Sequence, residues 1–268
     1  MSNRDGYRQY YELVILLTVA AVDNRRIPVL QVFMQTAAAA LLQHRHDFWL
    51  ARGAIVATAA LNAFLINHRT GFPWWLASAV ELALLVPLSI ATAWTHAQMA
   101  RASSEQHWKK IHHHRRLIRR AAIGLTALIT LINFQALYGV LEALLHGAKG
   151  ETGQSLLIDA LNIWVTNVIV FALWFWNLDR GGPALRGLRK QPVADFLFPQ
   201  TSIDCPGHEG WSPGFIDYVF VSFTNATAFS PTDTLPLSPR TKLLFMVEAT
   251  ASLLTVGLVA ARAVNVLA

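Results

Sequence analysis

From Phe223 to Asp233 the chain reads FTNATAFSPTD, a polar interruption in otherwise apolar sequence. Hydroxyls at Thr227, Ser230 and Thr232, followed by the carboxylate of Asp233, are groups that solvate a monovalent cation without holding it tightly. Repeated around a symmetric axis they would form hydroxyl rings and one charged ring, a lining that prefers cations but discriminates little among them. Phe229 falls inside the same stretch and would stand at the narrow part. Thr224 and Asn225 are placed to cap the helix that precedes it.

Other clusters are poorer chemistry. His107 and the run His112, His113, His114 lie among Lys and Arg. Consecutive histidines on a helix point in different directions, and neighbouring arginines repel a cation, so a basic segment facing solvent or lipid headgroups is expected. Asp204, Cys205, His208 and Glu209 form a mixed set without metal-site spacing. A single cysteine gives neither a disulfide framework nor a CxxC motif. No metal and no cofactor are expected. Neither a nucleophile–base pair, a phosphate-binding loop nor a zinc-protease helix is present, so the chain is not read as an enzyme.

These residues are carried by a chain of 268 residues, 54% hydrophobic and only 14% charged. Soluble domains carry about a quarter charged residues. The net charge of +6 comes from basic residues flanking apolar segments, which is the membrane-protein pattern and not a nucleic-acid surface. The expected fold is an all-α membrane protein. About six transmembrane helices are predicted, over 27–43, 48–66, 74–97, 121–146, 155–176 and 243–266, the first being the shortest. Tyr10 to Val22 is too short to span and closes on Asp23-Asn24-Arg25-Arg26, so residues 1–26 are assigned an interfacial helix. Residues 27–150 then form a four-helix transmembrane domain, and 151–268 a second unit. Trp74-Trp75 and Trp174-Phe175-Trp176 at span ends suggest an interfacial aromatic belt. Residues 98–120 form a polar, basic connection, and 177–214 a folded loop outside the membrane.

Ionisable and amide side chains inside spans are functional candidates. Glu81, Glu142, Asp159, Asn162, Asn167 and Glu248 qualify, with Asn133 and Gln135. The plainer role for each is a helix–helix hydrogen bond. Asp179-Arg180 before Gly181-Gly182-Pro183 suggests an ion pair that ends the fifth helix.

Phe215 to Thr227 is apolar and aromatic but only about 20 Å long as a helix, too short to cross. Lying between two spans it must turn back, so a re-entrant pore helix is predicted, with Pro231 enforcing the return. Irregular backbone at that depth is tolerated only where protein or water covers it.

On that arrangement, and on T-x-A-T…D…P-L-S/T-P ahead of a long helix containing Gly257, residues 215–267 resemble the pore domain of the potassium-channel superfamily. The segment is also similar to bacterial integral membrane proteins of unknown function carrying FTNATAFSPTD and W-x-x-D-R-G-G-P, here Trp176 to Pro183. The resemblance implies a homotetramer in a bacterial inner (plasma) membrane, a cation path lined by Thr227, Phe229, Ser230, Thr232 and Asp233, and a bend in the inner helix at Gly257. Membrane lipid and monovalent cations are then the partners. The filter itself departs from the family: Ala228, Phe229, Ser230 and Pro231 follow Thr227 where the family has a Gly-Tyr-Gly carbonyl cage. Phenylalanine is disfavoured at left-handed angles and proline is fixed near φ −65°, so a stacked cage does not form. The fourth span carries arginine only at its edge, Arg119 and Arg120, which is no voltage sensor.

Fifteen of the 22 Lys and Arg fall on the side from which the short helix enters. The positive-inside rule puts that side in the cytoplasm, whereas ordinary potassium channels have the loop outside. Low-selectivity cation permeation is therefore the first expectation. A non-conducting assembly or sensing protein that keeps the pore-domain fold, its axis plugged by Ala228-Phe229, is the alternative. A secondary transporter is the third, without the internal repeat that class shows.

Overall fold

A computed structural model describes residues 45–65, parts of 78–93, and residues 105–146, 153–183, 193–202, 211–227 and 234–267. The expected N-terminal interfacial helix and first span lie outside the described residues. So do Ala228, Phe229, Ser230, Pro231, Thr232 and Asp233 of the loop, and the Asp204 to Glu209 cluster.

The described chain is mostly helical. Helix α1 runs Arg45–Leu65, α2 Glu105–His146, α3 Gly153–Leu178, α4 Pro199–Ser202, α5 Phe215–Ala226 and α6 Pro239–Leu267. The described residues between 78 and 93 are helical as well. Among the described residues three stretches are long and apolar enough to cross a membrane: His113–Ala143 in α2, Leu157–Gly181 in α3 and the turn that follows it, and Pro239–Ala260 in α6. The basic connection predicted over 98–120 is helical from Glu105 onward, as the first part of α2. Lys, Arg and Gln are good helix formers, so a basic run continues a helix readily when no Gly or Pro interrupts it.

Helix α3 is the hub. It packs against α1, α2, α5 and α6, and Val170, Phe171, Ala172, Leu173 and Phe175 are all buried. A helix apolar on every side is stable only when surrounded, and α3 is surrounded by protein over much of its length. This corrects the aromatic-belt expectation for its end: Phe175 and Trp176 are core residues, not lipid-facing ones. Trp176 stacks edge-on against Phe48 of α1 and Phe215 of α5, with ring centroids 5.6 and 5.4 Å away. Trp174 is partly buried and donates its indole N–H to Thr130 of α2 at 2.9 Å. Such rings contribute their large buried area plus the preference for edge-to-face contact.

Short elements close the bundle at the C-terminal end of α3. A 3-10 turn over Asp179–Gly181 follows the helix, with left-handed backbone at Arg180 (φ 53), Gly181 (φ 84) and Gly182 (φ 77). Two-residue strands β1 (Phe196–Leu197) and β2 (Leu235–Pro236) pair antiparallel. Strands this short carry no alternation pattern, which is why the sequence signals only a folded loop there.

Helix α5 is 12 residues long. Its start lies at the end of α3, where Phe215 meets Trp176, and its last turn lies beside the middle of α3, where Phe223 meets Trp164 at 5.8 Å. The chain resumes at β2, back beside β1 at that same end of α3. Entry and return are therefore on one side.

Candidate functional site

The sequence singles out two kinds of polar residue at this end of the chain, and the structure gathers them into two networks along α5. The outer one centres on Asp179. The helix must end there, because Gly181 and Gly182 adopt angles that favour glycine. A Cβ on Gly182 would lie 2.4 Å from the backbone oxygen of Asn177. Gly182→Ala is accordingly expected to lose roughly 3 kcal/mol, from the steric clash plus the strained angle, and to lower the Tm in detergent by several degrees. An unchanged melting curve would show that the turn can rearrange.

Asp179 is fully buried. Its carboxylate accepts the Tyr218 hydroxyl at 2.5 Å and the Asp195 backbone N–H at 2.7 Å, with the Arg180 guanidinium 3.6 Å away. The predicted Asp179–Arg180 ion pair is therefore present, but it is the longest of these contacts. Asp195 in turn takes a two-pronged contact from Arg240 at the start of α6, at 2.9 and 2.6 Å, and its carbonyl accepts the Leu237 N–H. Phe196 and Phe198 pack on Tyr218 and cover the network. Hydrogen bonds to charged groups are stronger than neutral ones, so this cluster ties together α3, β1, α5 and α6 at one level.

Helix α5 starts beside it. The Gly214 N–H donates to Asp217 at 2.7 Å, and a Cβ on Gly214 would sit 3.0 Å from the Asp47 carboxylate of α1. Two carboxylates thus stand at the positive end of the α5 dipole, which favours them there.

The inner network centres on Glu248 of α6, also fully buried. One carboxyl oxygen meets the Ser222 hydroxyl and the other accepts the Asn225 amide at 2.6 Å. Ser222 lies 2.7 Å from the Val168 carbonyl of α3, and the second Asn225 proton reaches the Phe245 carbonyl at 3.1 Å. Asn167 of α3 donates to Ser252 at 2.8 Å. A serine hydroxyl has one proton, which Ser222 shares between the Val168 carbonyl and the Glu248 carboxyl oxygen.

The residues predicted around the loop separate here. Thr224 and Thr227 turn their hydroxyls back on their own helix: Thr224 bonds the Phe220 and Val221 carbonyls, and Thr227 those of Phe223 and Thr224. Thr227 so closes the end of α5. Asn225 instead crosses to α6. Gly257 lies within the uninterrupted helix α6, with open space where a Cβ would stand.

Protein-family models, curated proteins and solved structures were all compared with the chain. None matches.

Of the intraspan candidates, Glu248 and Asn167 join the inner network, and Glu81 accepts the Asn62 amide at 3.1 Å. Asn162 of α3 is buried but makes no side-chain hydrogen bond among the described residues. Ser222, Ser252 and Asn62 were missed. The signal was available for Ser252: Thr241, Glu248, Ser252 and Thr255 are all buried, and their spacing puts them on one stripe of an otherwise apolar helix.

A separate pocket of about 60 Å³ lies between α1, α2, α3 and the helical residues Leu85, Ser89 and Thr92. Arg52 and Arg119 line it together with Ser89, Thr126, Trp176 and Asn177. None of its lining side chains is acidic.

Proposed function

We propose that the chain is one protomer of a channel-like membrane protein in which α5 is a re-entrant helix and the residues after it border a weakly selective cation path. The observation that carries this reading is a half-length helix whose entry and return share one end of α3. Its C-terminal end sits beside the middle of a spanning helix, and that end of a helix dipole attracts cations. Thr227, Ser230, Thr232 and Asp233 are the proposed lining, with Phe229 at the narrow part and Gly257 as the point where the inner helix can bend. Four copies around an axis would cover the exposed apolar residues of α5 and α6, among them Ile216, Phe220, Met246 and Leu253. A bacterial inner membrane is the proposed location.

Full-length protein reconstituted in liposomes tests this by dye-reported K⁺ and Na⁺ flux. Flux of both ions is expected, reduced on the order of tenfold by Asp233→Ala, because a charged ring raises local cation concentration. No flux, flux unaffected by Asp233→Ala, or a monomer in detergent would overturn it.

A second reading is favoured by one feature of α6. Its polar side chains Glu248, Ser252 and Thr255 turn into the protomer, leaving an apolar outer face. That face suits a non-conducting assembly with Phe229 closing the axis. A tetramer that passes no ions, but gains flux on Phe229→Ala, would support it.

A further inference from the structure

We infer that a buried polar layer between α1, α2, α3 and the helical residues Ser78 and Glu81 binds one monovalent cation of sodium size, through Glu81 and neutral side-chain oxygens. This site does not rest on the channel reading. The register of the helices builds it. Ile55, Leu85, Thr126 and Leu173 line one pocket and so stand at one level. Arg52 reaches the Ser89 carbonyl and Asn62 reaches Glu81, so α1 runs antiparallel to the helical residues between 78 and 92. Phe48 meets Trp176, Thr130 meets Trp174, and Leu137 shares a core cluster with Ile163, so α1 and α2 both run opposite to α3. Two helical turns return a side chain to nearly the same face about 10 Å further along. Seven residues from the pocket level, on the side away from the end of α3, stand Asn62, Ser78, Asn133 and Thr166.

All four are buried, as are Glu81 and Asn162, one turn to either side of this layer. Among the described residues Asn62 Oδ1, Ser78 Oγ, Glu81 Oε2, Asn133 Oδ1 and Thr166 Oγ1 have no hydrogen-bond partner, and Asn162 leaves both its oxygen and its nitrogen unpartnered. Buried polar atoms are ordinarily satisfied. Here the same kind of atom, an oxygen, is left over on four helices at one depth. Carboxylate, amide and hydroxyl oxygens are hard ligands that replace the hydration shell of a small cation. The charge count selects a monovalent one. Glu81 accepts the Asn62 amide on its other oxygen, and no basic side chain pairs with it among the described residues. A single positive charge removes the cost of that buried carboxylate, whereas waters alone would satisfy the amides and hydroxyls and leave the charge uncompensated. None of the six side chains belongs to a residue more than 5% exposed, and so closely packed a layer suits sodium better than potassium.

The melting temperature of the full chain in detergent tests the site, measured at one ionic strength in the chlorides of choline, sodium and potassium. Sodium is expected to raise the Tm over choline by about 5 °C or more in a saturable way, and potassium by less than about half of that. Glu81→Gln keeps an acceptor for Asn62 but removes the charge, and should abolish the sodium shift. Thr166→Val removes one oxygen at nearly constant shape. It should weaken the apparent sodium affinity about tenfold, which keeps the test decisive if Glu81→Gln fails to fold. Asp233→Ala should leave the shift unchanged, which separates this site from the proposed cation path. Equal Tm values in all three salts would mean that water alone fills the layer, and would overturn the site. A sodium shift that persists undiminished in Glu81→Gln or Thr166→Val, or that is lost in Asp233→Ala, would overturn it as well. Potassium as effective as sodium would overturn the assignment to a small ion.

Discussion

Glu248→Ala is expected to destabilise the protein by about 3 kcal/mol, whereas Glu248→Gln should cost less than about 1 kcal/mol. The alanine removes two interhelical hydrogen bonds and opens a cavity where α3, α5 and α6 meet. The glutamine keeps the side-chain volume, its amide oxygen accepts from Asn225, and its N–H₂ can donate to the Ser222 hydroxyl, which then gives its own proton to the Val168 carbonyl. Denaturant unfolding of the two variants in the same micelle measures the contrast. Equal loss in both would mean that an amide cannot take the place of the carboxyl in this network.

The second large effect is expected at Asp179. Asp179→Ala leaves the Tyr218 hydroxyl and the Asp195 N–H without their acceptor in a buried site, a loss of about 3–5 kcal/mol. Tyr218→Phe alone should lose about 1–2 kcal/mol. The two effects should not add. Once the hydroxyl is gone, removing Asp179 orphans only one donor, so the double variant should be less destabilised than the sum. Strict additivity in that cycle would show that the 2.5 Å contact does not contribute. Hydrogen exchange at Phe196 and Leu197 should quicken in Asp179→Ala, since the strand pair hangs on Asp195.

How much of this was legible in the sequence depends on what each residue is paired with. The membrane class and the three strongest spans follow from composition and length alone, because lipid demands about 20 apolar residues whatever surrounds them. The half-length of α5 was legible for the same reason. Asp179 was visible as a helix stop, since Gly181-Gly182-Pro183 can only end a helix. Its partner Tyr218 was not visible, because 39 residues separate them and no local pattern links the two. Asn225 illustrates the same limit. Its place at the end of a helix suggests a cap, yet the amide is used across helices, and only the position of α6 makes that possible. Phe175 and Trp176 misled in the opposite direction. Aromatic residues at a span end look alike whether they face headgroups or a neighbouring helix, and the presence of α1 and α5 decides it.

The two networks hold α5 at both ends. Tyr218 fastens its first turn to the end of α3, and Ser222 and Asn225 fasten its last turns to α6. The seven-residue step from Tyr218 to Asn225 sets the fastenings about 10 Å apart along the helix. A rod fixed at one point can pivot, but a rod fixed at two behaves as a strut. Helix α5 can neither tilt nor slide by a turn without breaking buried hydrogen bonds on two other helices at once. Any displacement of Thr227 must therefore be a displacement of α3 and α6 as well, so that a force applied to the long helices is transmitted to the tip of the short one.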